Sequence, residues 1–280
     1  MEPSALQHRE RGGVGVNVLI TGAAGGLGRA FAVECARRGY NLFLTDSNAI
    51  GLARIRQGIL CRFGRATQGM ACDITDSSQL HSLLQYAIEI RFRFDMLINV
   101  AGIDFEGGFL GRDAESIAKI INLNIGATLG VTHRALESRN PGLPFFLVFV
   151  SSLASLYPMP LKATYAASKR FLLDFACALR QELRAENVSV LALCPGGLAT
   201  TEAAVSGIAA QGLMGSITSN GLGRLTRRTV SRVLAGRPLY IPGLMNGALR
   251  MLGKLVPRGI VTRIIYLRWR NAQKQWLSAE

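Results

Sequence analysis

Apolar positions along the chain follow two alternating patterns. Short, mostly continuous apolar runs occupy 16–21, 41–45, 66–71, 96–99, 145–150, 188–193 and 239–241. Continuous apolar character of that length marks strands buried on both faces, as in a parallel sheet. Between them, apolar residues recur every three or four positions at about 27–38, 48–62, 77–92, 113–138 and 162–186, with a looser set beyond 221. Strand and helix in regular alternation predict an α/β fold, a doubly wound parallel sheet of about seven strands with helices on both faces.

No repeat, low-complexity tract or linker interrupts this pattern, which predicts one domain over 15–243 between a disordered 1–14 and a helical extension at 244–280. In that extension two helical segments, 244–256 and 260–276, are separated by Pro257 and Gly259. Arg250, Lys254 and Arg258 recur at i, i+4 and i+8, whereas Leu244, Ala248, Met251, Leu252, Leu255 and Val256 crowd elsewhere on the wheel, a basic amphipathic pattern.

Composition fits a folded chain: of 280 residues, 49% are hydrophobic and 18% charged. The five cysteines (Cys35, Cys61, Cys72, Cys177, Cys194) show neither CxxC nor metal-ligand spacing, which argues against a disulfide framework and against a metal site. Reduced thiols, early charges where a signal peptide would be apolar, and no apolar run of about 20 residues give the expectation of a cytoplasmic protein without a spanning helix. The net charge of +14 is unevenly placed. Residues 1–202 hold 20 basic and 17 acidic side chains, and residues 203–280 hold 12 basic ones against Glu280 alone. The basic excess therefore concerns docking or assembly: peripheral contact of 244–280 with an anionic membrane, or packing against the sheet edge or a second subunit. No nucleic-acid motif accompanies it, and no nucleic acid is expected as a partner.

Chemistry enters first at Thr21-Gly22-Ala23-Ala24-Gly25-Gly26-Leu27-Gly28, which follows an apolar strand and opens a helix. In that context glycines let the backbone turn tightly and approach a pyrophosphate, whose charge sits among the first N–H groups of the helix, Leu27 included. Asp46 ends the second strand 18 residues beyond Gly28, close to the spacing at which a carboxylate accepts the ribose 2′-OH. An anion there repels a 2′-phosphate, and neither Gly25 nor Ser47 adds a compensating base, so NAD is favoured over NADP. Asp73 follows the third apolar run and has two readings: a contact to adenine, through its side chain or the adjacent backbone of Ile74, or a helix cap.

Tyr165 and Lys169 stand four residues apart on one helix face. A cation near a phenol stabilises the phenolate and so eases proton exchange with an alcohol. Ser152, just past an apolar strand, is placed to donate a hydrogen bond to a developing oxyanion.

Taken together these residues resemble the short-chain dehydrogenase/reductase family, in its single-domain branch of Rossmann-like fold, over about 16–201. The family's TGxxxGxG is matched by Thr21, Gly22, Gly26 and Gly28, its NNAG by Asn99, Val100, Ala101 and Gly102, and its YxxxK by Tyr165 and Lys169. Asn124 matches its helix asparagine (Asn122 is the weaker candidate), and Pro195-Gly196 matches the motif after its sixth strand. Thr200 falls where the family's threonine contacts the nicotinamide carboxamide. Val100 departs from the pattern, removing one amide while Asn99 remains. The resemblance implies Tyr165 as general acid/base, Ser152 orienting the substrate oxygen, and Lys169 binding the nicotinamide ribose. It also implies Asn124 holding a water, and homodimers or homotetramers formed through 113–138 and 162–186.

The segment between Glu202 and Arg224 carries no charge, which suits a lid over a small apolar alcohol or ketone. The expected function is NAD(H)-linked interconversion of a secondary alcohol and a ketone on a steroid-, acyl- or lipid-like substrate. Two alternatives stand beside it: an NADPH-linked 3-oxoacyl reductase, and a non-enzymatic scaffold with a basic tail.

Overall fold

Six parallel strands form the sheet: β1 Asn17–Thr21, β2 Asn41–Thr45, β3 Met96–Asn99, β4 Phe145–Val150, β5 Val188–Leu193 and β6 Leu239–Tyr240, in the order β2-β1-β3-β4-β5-β6. The computed structural model describes residues 15–105, 107–140, 142–198, 220–243, 246–247 and 256–277. The segments 1–14, 203–214 and most of 244–256, on which the sequence raised expectations, lie outside the described residues, as does Thr200.

Side chains alternate across the strands and fill two cores. On one face Val18, Ile20, Leu44, Ile98, Val148 and Leu191 pack with α1 (Gly26–Arg37), α2 (Ala49–Phe63) and α7 (Leu222–Leu234). On the other, Leu19, Phe43, Leu97, Leu147, Phe149 and Val190 pack with α3 (Ser77–Glu89), α5 (Thr128–Glu137) and α6 (Ala163–Glu182). All six residues of β4 are buried, which explains why that run carries no polar alternation. The last described helix is α8, Arg258–Leu277.

Two expectations need correction. The run 66–71 is no full strand: beside β2 it makes only the bridges Phe43↔Gln68 and Asp46↔Ala71, so the sheet has six strands among the described residues rather than seven. Gly69 is the cause. Its φ is +120°, and a Cβ there would lie 1.9 Å from the Leu44 carbonyl oxygen, so the chain presses against β2 out of pleat and the ladder breaks. The helix expected over 113–138 is likewise divided into α4 (Ala114–Ile121), a π turn at Asn122–Ala127, and α5. One extra residue in that turn shifts the faces that α4 and α5 present, a device common at functional positions.

The order of the strands reverses direction between β1 and β3, and a crevice opens there beyond their carboxyl ends. Thr21 fixes its floor, its Oγ1 accepting the N–H groups of Val100 at 3.2 Å and Ala101 at 3.3 Å.

Under the β2 edge, Phe43 sits 5.5 Å from Phe92, 5.5 Å from Phe94 and 6.0 Å from Tyr86, centroid to centroid. Phe43→Ala empties the centre of this cluster and is expected to cost about 3–5 kcal/mol, read by urea unfolding. A loss under about 1 kcal/mol would show that the cluster closes around the gap.

Candidate active site

The glycine turn after β1 is shaped by two close approaches. Gly22 has φ +66°, and a Cβ on it would stand 2.8 Å from the Ala101 backbone. A Cβ on Gly28 would stand 2.0 Å from the Gly22 carbonyl oxygen. Among the described residues no side chain caps α1, whose N-cap is Gly25, and its first turn holds no acidic residue. A helix start of this kind presents uncapped N–H groups and the positive end of its dipole to an anion.

Two side chains bear on whether a dinucleotide fits. Asn99 gives its Nδ2 to Thr132 Oγ1 at 2.9 Å, while its buried Oδ1 has no hydrogen-bond partner among the described residues. A buried acceptor left open beside the crevice suits a donor arriving with a ligand. Asp46 Oδ2 accepts the Ala24 N–H at 2.9 Å and Oδ1 accepts the Asn48 N–H at 2.8 Å. Each carboxylate oxygen keeps a further lone pair for a hydroxyl. Pyrophosphate at the uncapped helix, a ribose at Asp46 and an acceptor at Asn99 are compatible with an NAD(P)-type cofactor.

Asp73 is occupied locally: its Oδ1 accepts from the Thr75 N–H at 3.0 Å and the Thr75 hydroxyl at 2.7 Å, and its own N–H goes to Gln79 Oε1 at 3.0 Å. The cap of α3 is Asp76 instead. Ile74 has its side chain in the core, so only its backbone faces outward chemistry.

On the other side of the crevice β4 runs into Ser152 and α6 carries Tyr165 and Lys169. Ser152 accepts the Ala154 N–H at 3.1 Å, and the next N–H, of Leu153, donates to the Pro195 carbonyl at 2.7 Å, joining the serine turn to Pro195-Gly196. Gly196 in turn donates its N–H to Asn220 Oδ1 at 2.8 Å. Lys169 is buried, and its Nζ donates to the Val150 carbonyl at 3.0 Å. That same Nζ lies 5.8 Å from the centre of the Tyr165 ring. Burial pushes the Lys169 ammonium down from its ordinary 10.5 to about 8, with Asp104 and Cys194 pulling the other way.

Asn124, rather than the exposed Asn122, is the buried one of the pair. Its Oδ1 accepts the Ile103 N–H at 2.9 Å, and its Nδ2 donates to the Ile103 carbonyl at 3.0 Å and to Ser168 Oγ at 3.1 Å. The side chain thus ties the Gly102 turn to α6, which leaves any water-holding role to its backbone carbonyl. A Cβ on Gly102 would lie 3.0 Å from Asn124 Oδ1 and 3.1 Å from Lys169 Nζ, so a glycine at 102 is what admits both polar ends.

Sequence reasoning missed a second cation. Lys162, one turn before Tyr165, places its Nζ 5.6 Å from the same ring centre and pairs with Asp104 at 2.5 Å. The i−3 spacing was visible; the partner, 58 residues away, was not. Ser151 was missed as well: its hydroxyl donates to the Lys169 carbonyl at 2.7 Å and clamps the middle of α6 to the end of β4.

The profile of the short chain dehydrogenase family matches residues 16–209. The ketoacyl reductase HetN of Nostoc sp. is 32% identical over 187 residues, 67% of this chain and 65% of that protein. The 15-hydroxyprostaglandin dehydrogenase (NAD(+)) of Homo sapiens is 29% identical over 190 residues, 64% of this chain and 66% of that protein. The matched stretch thus spans just under two thirds of the length of these two relatives. A short chain dehydrogenase/reductase of Burkholderia phymatum, solved with NAD, superimposes with a TM-score of 0.74 at 23% identity, covering 85% of this chain and 92% of that one.

The Lys169 burial has a measurable signature. Between about pH 8 and 10.5 the folded chain sheds a proton that the unfolded chain keeps, so this group makes the wild type gain stability as pH rises. Lys169→Met lacks that gain. The stability of the variant relative to wild type should therefore fall by roughly 3 kcal/mol from pH 7 to 10.5, measured by denaturant titration at both pH values. A pH-independent difference would mean that the ammonium is not held in a low-dielectric site.

Proposed function

The chain belongs to the short chain dehydrogenase family, and from that premise we propose that it is an NAD(H)-dependent oxidoreductase interconverting a secondary alcohol and a ketone on an apolar, steroid-, acyl- or lipid-like substrate. The observation that carries this reading is the buried Lys169 ammonium beside the Tyr165 ring, on the helix packed against β4, whose end at Val150 leads directly into Ser152.

In the reducing direction the O–H bond of Tyr165 breaks and its proton passes to the substrate oxygen. The Lys169 charge favours the phenolate that remains, and Lys162 adds a second, partly neutralised charge on the same ring. Ser152 donates a hydrogen bond to the oxygen as its negative charge grows. In the oxidising direction the same atoms run in reverse, with the phenolate as base. When bound, the nicotinamide supplies or takes up the hydride. Gly22, Gly26, Leu27 and Gly28 would hold its pyrophosphate, Asp46 the adenosine ribose, and Asp73 and Ile74 the adenine edge. Asn99, Ala101, Gly102, Pro195, Gly196 and Thr200 would line its nicotinamide half, with Tyr165 and Lys169 at the ribose. Asn124 serves as the positioning residue that keeps the Gly102 turn against α6.

Two relatives support an apolar substrate by their names, which refer to ketoacyl and 15-hydroxyprostaglandin chemistry. The first also favours a second reading, an NADPH-linked 3-oxoacyl reductase. Assembly as a homodimer or homotetramer fits the exposed Ile121 of α4 and Phe171 of α6, the latter stacked 5.9 Å from Phe175.

Tyr165→Phe removes the proton donor while keeping the ring that both ammonium groups approach. Turnover of a ketone panel should fall by at least about a hundredfold with dinucleotide affinity nearly unchanged, and retained turnover would remove Tyr165 from the role. Fluorescence titration of the wild type should show tighter binding of NADH than of NADPH, because the Asp46 carboxylate opposes a 2′-phosphate; the reverse order would favour the 3-oxoacyl reductase reading.

A further inference from the structure

We propose that the outward face of α8, together with the loop it meets, is a docking surface for an anionic phospholipid bilayer. Ile260, Ile264 and Leu267 recur at i, i+4 and i+7 and so form one stripe along the helix. They are 53%, 59% and 44% exposed. Val261 and Ile265, about 100° further round, are half-buried. The helix therefore has an apolar side that is partly covered and a second apolar stripe that folding leaves in water, a cost that a bilayer would relieve.

Charge selects the occupant. Arg263 and Arg270 are exposed along one edge of the stripe, and residues 258–277 contain five basic and no acidic side chains. Arginine stems lie along apolar surface while their guanidinium groups reach the phosphate level. A second copy is disfavoured, since a two-fold contact through this stripe would bring the arginine rows of both copies together with no carboxylate on the helix to separate them. The surface extends beyond α8. Phe109 and Tyr266 line a common cavity of about 140 Å³, and beside Phe109 (61% exposed) Leu110 projects with 98% of its surface free. No described helix is long and apolar enough to cross a membrane, so α8 would lie along the surface rather than insert.

The test reads binding alone, so it stands or falls apart from the oxidoreductase assignment. The full chain is sedimented with vesicles of phosphatidylcholine and with vesicles containing phosphatidylglycerol. It should pellet with the anionic vesicles, release at high salt, and stay in solution with phosphatidylcholine. Ile264→Ser/Leu267→Ser and, separately, Arg263→Gln/Arg270→Gln should each lower the bound fraction about tenfold or more. Ile50→Ser, at a 69% exposed position on α2, should leave it unchanged. Circular dichroism confirms that each variant is folded. Absence of wild-type binding, or binding by both double variants at the wild-type level, would overturn the proposal. So would a lipid-free sizing experiment in which the serine variant breaks an oligomer into smaller species, which would assign the stripe to a subunit contact.

Discussion

A positively charged ammonium kept inside a protein sets strict terms for everything around it. Lys169 meets them through one hydrogen bond to the Val150 carbonyl, through Asn124 and the glycine turn at 102 pressed close by, and through Asp104 acting across a longer distance. Desolvation still prevails, and the proton is held less firmly than on a lysine in water. Such a group persists only where the surrounding backbone is fixed independently of it. Here β4, α6 and the turn after β3 provide that fixity, with the Ser151 hydroxyl bound to the Lys169 carbonyl and the Asn124 side chain bridging Ile103 and Ser168.

The same region shows how a sheet concentrates function at one edge. Parallel strands all end on the same side, so the turns after β1, β3, β4 and β5 converge without any long-range search by flexible loops. Hydrogen bonds then lock neighbouring turns pairwise: Thr21 to Val100 and Ala101, and Leu153 to Pro195. The candidate site is therefore assembled by backbone, and the polar side chains sit on a frame already in place. Its flank is less conventional. Lys162 lies over the Tyr165 ring, lines the cavity that reaches Tyr266 of α8, and pairs with Asp104 on the turn after β3, so the site and the C-terminal helix share one wall.

Much of this was legible in the sequence for a definite reason. Burial on both faces writes strands as continuous apolar runs, and 145–150 is the clearest because every residue of β4 is enclosed. The juxtaposition of Tyr165 and Lys169 follows from helix spacing alone, and the choice of Asn124 over Asn122 follows from its register against Val131 and Thr132, which are buried with it. What the sequence concealed was tertiary. The run 66–71 looks like a strand in composition, but Gly69 meets the Leu44 carbonyl only once β2 is beside it. The Lys162–Asp104 pair joins residues 58 apart, and no local pattern announces it. The fate of α8 was equally hidden, since an apolar stripe that packs and one that stays outside have the same periodicity.

Asp46, the residue proposed above to meet a ribose, also holds the glycine turn. One of its oxygens binds the Ala24 amide and the other the Asn48 amide, and Ala24 in turn sits against the start of α2, where a Cβ on Gly51 would be 2.9 Å from its methyl group. A replacement at 46 that lacks both acceptor oxygens unties the loop between β1 and α1. On the proposed cofactor assignment, a change of nucleotide preference at 46 would therefore disturb the loop at the same time. A compensating change near 24 or 48 would be needed to keep the loop in place, so cofactor choice and loop stability are coupled through one carboxylate.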